Sequence, residues 1–245
     1  MQKENQYSEI GHKFINVVKD INFKEETKFM PILNVLDNIK IKDGYILDFY
    51  KTDEWEYHTL PYVRKKEGER KSTGIGLFLS CPDSEEQRVF QYLEIPFTEM
   101  GIWQGYLLHI LPGITPKGGH ANYGATEEVY GFDDFFMNLL KTQGYNQAEN
   151  NQKIKDRIDE FTSKVTIDNP QQEELVLLLN TLGIDTFLPK VVINSPNTAT
   201  IESLFFSNFG GLIYESTTAI REGNTLRFQH KDQKVLVKYD CGIRF

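Results

Sequence analysis

The sequence predicts an α+β fold, and three observations carry that expectation. Apolar residues recur at helical period over residues 8–21, 98–111, 132–141 and 154–182. From residue 188 onward the pattern changes to short alternating runs separated by turn clusters. The aromatic fraction of 13%, with 17 Phe and 12 Tyr, is generous for an all-helical protein and suits sheets packed on helices.

In chain order, Ile10, Phe14, Val17, Val18 and Ile21 share one helical stripe, and Ser8 is placed to cap the start of a helix over 8–21. Pro31 suits the first turn of a short second helix carrying Ile32, Leu36 and Ile39. Ile39 and Ile41 alternate before Asp43-Gly44, and Tyr45, Leu47 and Phe49 alternate after it. Such a dipeptide tolerates positive φ at both turn positions, so a hairpin is expected here. Trp55 and Tyr57 continue the alternation into a further strand that Pro61 closes.

Arg64, Lys65, Lys66, Arg70 and Lys71 form a basic cluster, but Glu67 and Glu69 interrupt it and no aromatic side chains are interleaved, so it reads as a solvated loop. Gly74 and Gly76 precede an apolar run without a Gly-Lys-Ser/Thr or a third glycine at fingerprint spacing; they read as strand glycines, and no cofactor is expected. Ser84 and Gln87 suit a capping box for a helix through Val89, Phe90 and Leu93, although the same residues alternate well enough for a strand.

The segment from Pro96 to Leu140 is the centre of the chain: a greasy helix over 98–111, a glycine-rich loop over 112–124, and an amphipathic helix over 132–141. Gly105 inside the greasy helix implies close packing against another element. A stretch rich in Asn and Gln after Gly144 marks the best internal boundary, dividing the chain into lobes 1–146 and 147–245 that are able to share one core. The second lobe opens with a helical hairpin over 154–182. An antiparallel meander follows, with strands near 191–193, 200–207, 212–220, 225–229 and 235–239.

A net charge of −8 repels phosphate backbones and anionic lipid on average, so neither nucleic acid nor membrane is an expected partner. No 18-residue uncharged apolar stretch occurs, and a cytoplasmic location is expected. Cys81 and Cys241 are too few for a disulfide scaffold.

The candidate chemistry lies around the central segment. His109, His120 and Asp133 are the catalytic candidates, and His58, His109 and His120 the metal candidates, although no His-x-x-x-His or Glu-x-x-His spacing fixes two ligands on one element. Trp103, Tyr106 and Tyr123, with His120 and Asn122, could wall a small-ligand pocket, and Phe209 sits in an aromatic turn suited to contact a partner. The leading functional expectation is a non-enzymatic binding protein, of an inhibitor or immunity type, whose acidic surface meets a basic protein. The alternatives are a metal-assisted hydrolase centred on His109, His120 and Asp133, and a small-ligand-binding protein.

Overall fold

The computed structural model describes residues 2–20, 29–49, 51–52, 61–69, 72–73, 89–114, 126–129, 188–207 and 211–237. The fold is α+β. Its centre is a helix, α3 (Glu99–Ile114), apolar nearly all round and buried along residues 101–108. On one side lie α1 (Gln2–Asp20) and α2 (Met30–Val35), on the other a large antiparallel sheet. One apolar core joins them, from Phe14 and Ile32 through Trp103 and Leu107 to Ile201 and Phe228, drawing on both sides of residue 146.

The first helix begins six residues before Ser8, which is a buried interior position and no N-cap. The apolar stripe explains this: Tyr7 stands two turns before Phe14, is buried against Trp103, and accepts the Trp103 indole N–H on its carbonyl at 3.0 Å. The Tyr7 hydroxyl donates to Glu99. Burial first, then the Glu99 charge and the hydrogen bond to it, push the phenol up to about 12. Burial and the neighbouring Glu202 do the same to Tyr214. Because the fold favours the neutral phenols, their stabilising contribution is complete below pH ~10 and is lost as pH rises towards 12. A spectrophotometric titration is therefore expected to show late-ionising tyrosines, with one fewer in Tyr7→Phe.

Pro31 occupies the first turn of α2, as its fixed φ suggests. Gly44 takes a φ of +83°, and Tyr45 N–H donates to Lys42 across the turn, but no hairpin forms. The strands flanking this turn choose different partners: β1 (Lys40–Ile41) pairs with β6 (Leu93–Glu94), while β2 (Tyr45–Phe49) pairs with β4 (Pro61–Lys65). The two-residue β1 follows Ile39 into the core, where Leu93 is also buried, and Lys42 N–H extends that ladder to the Tyr92 carbonyl. Pro61 opens β4 instead of closing a strand, a position where the missing N–H costs no ladder bond. Two further short strands, β3 (Lys51–Thr52) and β5 (Ser72–Thr73), pair in parallel.

The basic cluster divides. Lys65 and Lys66 are exposed as expected, but Arg64 is buried on β4, its Nε 2.8 Å from Asp48 Oδ2 on the adjacent strand. Val89 and Phe90 are helical, a turn follows at 91–92, and Leu93 and Glu94 are strand, so both readings of that segment hold in part. Thr98 caps α3, its hydroxyl accepting from Gly101 N–H at 3.2 Å. The helix then runs past residue 111 through Pro112 and Gly113, so the expected loop starts later. Proline in a last turn leaves one carbonyl without its intrahelical donor, a loss tolerable where the helix is about to end.

The sheet contains β7 (Thr126–Val129), β8 (Lys190–Ser195), β9 (Thr198–Ser207), β10 (Gly211–Glu222) and β11 (Thr225–Val237), ordered β11-β10-β9-β7 with β8 also on β9. Successive strands after residue 188 are antiparallel neighbours, as the turn spacing suggests. β7 was not anticipated: it extends the edge of β9 where β8 leaves off, Val129 opposite Leu204 and Lys190 opposite Glu202. The last two expected strands, near 225–229 and 235–239, are one, with a bulge between them. Thr217 pairs with His230 and Ser216 with Asp232, leaving Lys231 as the extra residue. Among the described residues it is α3 that covers this sheet, with Phe228 and Leu226 against Gly105. The helical hairpin at 154–182 and the helix at 132–141, like the strand through Trp55 and Tyr57, lie outside the described residues.

Candidate functional site

Three distant stretches of chain meet at one cleft of about 490 Å³. The first is the turn after α2. Leu36 is drawn fully into the core, which leaves Asp37 and Asn38 at the surface above it. They are held from below by Gln104, a completely buried polar residue of α3. Its Oε1 accepts from Asn38 N–H at 2.8 Å, and its Nε2 donates to Asp37 Oδ1 at 2.8 Å. This bridge accounts for a glutamine inside an apolar helix, since a buried amide must find partners.

The second wall is the β1–β6 ladder and the chain after it. Lys40 and Glu94 stand directly opposite each other, yet no ion pair joins them to each other or to any other described residue, and both side chains line the cleft. The third wall is the β10–β11 turn, where Gly223 at φ +63° and Asn224 reverse the chain. Arg221, just before this turn, is fixed at three points. Its backbone N–H donates to Asn197, its Nε donates to the Gly223 carbonyl at 3.1 Å, and its guanidinium lies 5.9 Å from the Phe97 ring centre. Ile95, Pro96 and the buried Leu226 are the apolar residues of a lining that is otherwise polar. Charge in the lining is balanced, Asp37 and Glu94 against Lys40 and Arg221.

The chain matches no family model, no curated protein and no solved structure.

Of the residues singled out from the sequence, Trp103 and Tyr106 are described and stack on each other with ring centres 5.6 Å apart. They are 0% and 1% exposed and belong to the packed core. The Tyr106 hydroxyl reaches Ser203 at 2.8 Å and Glu215 at 3.4 Å, and Glu215 in turn lies 3.4 Å from Nδ1 of His230. No local pattern in the sequence marks this polar chain, because its members come from the central helix and from three strands. His109 is half-buried, stacked on Phe228 at 5.1 Å and beside Phe90. His58, His120, Asn122, Tyr123, Asp133 and Phe209 lie outside the described residues. Among the described residues, no group of three or more His, Cys, Asp or Glu could hold a metal ion, and no helix is long and apolar enough to cross a membrane.

The sequence marks none of the cleft residues as functional. No local pattern marks Asp37, Glu94 or Arg221, and their convergence depends on β6 pairing with β1 and on the meander packing over α3.

Proposed function

We propose that this protein is a non-catalytic small-ligand-binding protein, and that the cleft between the β1–β6 ladder and the β10–β11 turn is its binding site. The observation that carries the reading is the lining: three apolar residues, Ile95, Pro96 and Leu226, set among charged residues of both signs, of which Lys40 and Glu94 face each other without closing an ion pair. A volume of about 490 Å³ is within the range of small-molecule sites. Gln104 ties one wall to the central helix, which reduces the ordering that binding requires there.

A basic protein partner remains the reading suggested by the net charge of −8. The balanced charge of the cleft favours a small ligand over it, because a cationic protein surface would meet Lys40 and Arg221 as well as the two carboxylates.

The test is thermal denaturation in the presence of amino acids, short peptides, nucleosides and monosaccharides, each supplied separately. A ligand at one hundred times its Kd stabilises by about 2.7 kcal/mol, which for a chain of this size raises Tm by about 5–10 °C. Thr225→Trp, which fills the cleft from its rim, is expected to abolish that rise while leaving the unliganded Tm within a few degrees. If no compound shifts Tm, or if the shift survives Thr225→Trp, the cleft is not the binding site.

A further inference from the structure

Resting on that reading, we infer that the cleft takes a small zwitterion with an apolar body, an amino acid or a short peptide. Two side chains define this chemistry. Asp37 accepts hydrogen bonds from Gln104 Nε2 at 2.8 Å and Asn38 Nδ2 at 2.9 Å, and both fall on Oδ1. The carboxylate is thereby oriented while Oδ2 keeps no hydrogen-bond partner among the described residues. An aligned, uncommitted carboxylate oxygen at the edge of a cleft suits an ammonium group, with Glu94 adding a second negative charge.

Arg221 is held in the complementary way. Only its Nε is used, by the Gly223 carbonyl, and the Phe97 ring supports the guanidinium plane. Its two terminal nitrogens make no hydrogen bond to any described residue. A guanidinium bonded only through Nε leaves those nitrogens available as a fork, the geometry that takes a carboxylate through two parallel bonds, with Lys40 as an additional positive charge. Ile95 and Pro96, which also line the cleft, supply apolar surface for the ligand's body. A ligand carrying one charge only would leave the opposite group facing it without a partner, so the lining selects for both charges at once.

Isothermal titration of the full chain with leucine and leucyl-leucine, each compared with its N-acetyl and C-amide forms, tests the assignment. Binding of at least one zwitterion is expected, weakened at least tenfold by blocking either end, and the stronger of the two identifies the source as free amino acid or peptide. Arg221→Lys retains the charge and removes the fork; it should weaken the zwitterion about tenfold and leave the amide form unchanged. Asp37→Asn should act in the same way on the ammonium end, sparing the N-acetyl form. Equal binding of free and blocked forms, or no binding by either zwitterion, overturns the assignment. In that event, a Tm rise from another compound that Thr225→Trp abolishes leaves the cleft standing as a site for a different ligand class, and the absence of any such rise removes both.

Discussion

Truncating Asp48 to alanine is expected to destabilise the protein by about 3–5 kcal/mol, the cost of leaving one member of a buried ion pair uncompensated. Its side chain is 2% exposed and that of Arg64 6%, with Nε and Oδ2 2.8 Å apart across the β2–β4 ladder. Asp48 Oδ1 also accepts the Phe49 N–H, and an Arg64 terminal nitrogen donates to the Gly68 carbonyl. Removing the carboxylate therefore frees a guanidinium in a place with little water and loosens the turn beyond β4. Replacing both partners by apolar residues of similar size, Asp48→Leu with Arg64→Met, should recover most of the loss, because no buried charge is then left behind. Urea denaturation of the two single variants and the double variant measures this directly. A loss under about 1 kcal/mol in Asp48→Ala would mean that the pair is solvated in solution, like an ordinary surface ion pair.

Gly101→Ala should cost about 1–3 kcal/mol or more, although alanine is the better helix former by about 1 kcal/mol. A Cβ at this position would collide with the carbonyl oxygen of Pro96, with Pro96 Cγ also only 2.9 Å away. That carbonyl accepts the Thr98 N–H at 2.8 Å and belongs to the cap of α3, so it cannot withdraw without undoing the start of the helix. Gly105→Ala is the control on the same helix. Its Cβ would lie 3.2 Å from the Phe228 ring and 3.4 Å from Ile95 Cδ1, side-chain atoms instead of backbone, and the helix-propensity gain should offset much of the crowding. Thermal denaturation is expected to rank the variants wild type, Gly105→Ala, Gly101→Ala, from most to least stable. Equal Tm values for the two variants would contradict the backbone clash.

The elements that could be read from the chain are those whose signal is periodic and long. The all-round apolar run of α3 and the alternation of the meander were legible because each extends over many residues. Boundaries failed where a distant contact outweighed the local cue. Tyr7 carries α1 past Ser8 because Trp103 packs on it. Likewise Asp43-Gly44 turns the chain as its composition says, while the strands on either side pair with residues more than ten positions away. Lys231 and its neighbours have the composition of a turn, yet the ladder absorbs them as a bulge since strand pairing continues beyond them.

Arg64 shows the same limit for charge. Beside Lys65 and Lys66 it reads as one more solvated cation, and only the pairing of β4 with β2 places Asp48 against it. The cleft repeats this over longer distance, with the hold of Gln104 on Asp37 and of Phe97 on Arg221 spanning the central helix and the sheet.

By itself the sequence determined the class of fold, the apolar central helix and the antiparallel run of strands that follows, since local periodicity and turn chemistry are properties of neighbouring residues. Tertiary structure alone decided which strand each strand pairs with, which charges are buried, and where Asp37, Glu94 and Arg221 come together. The reason is physical: a polar side chain carries no mark of its surroundings until packing brings its partners to it, and those partners are supplied by stretches of chain that are not its neighbours.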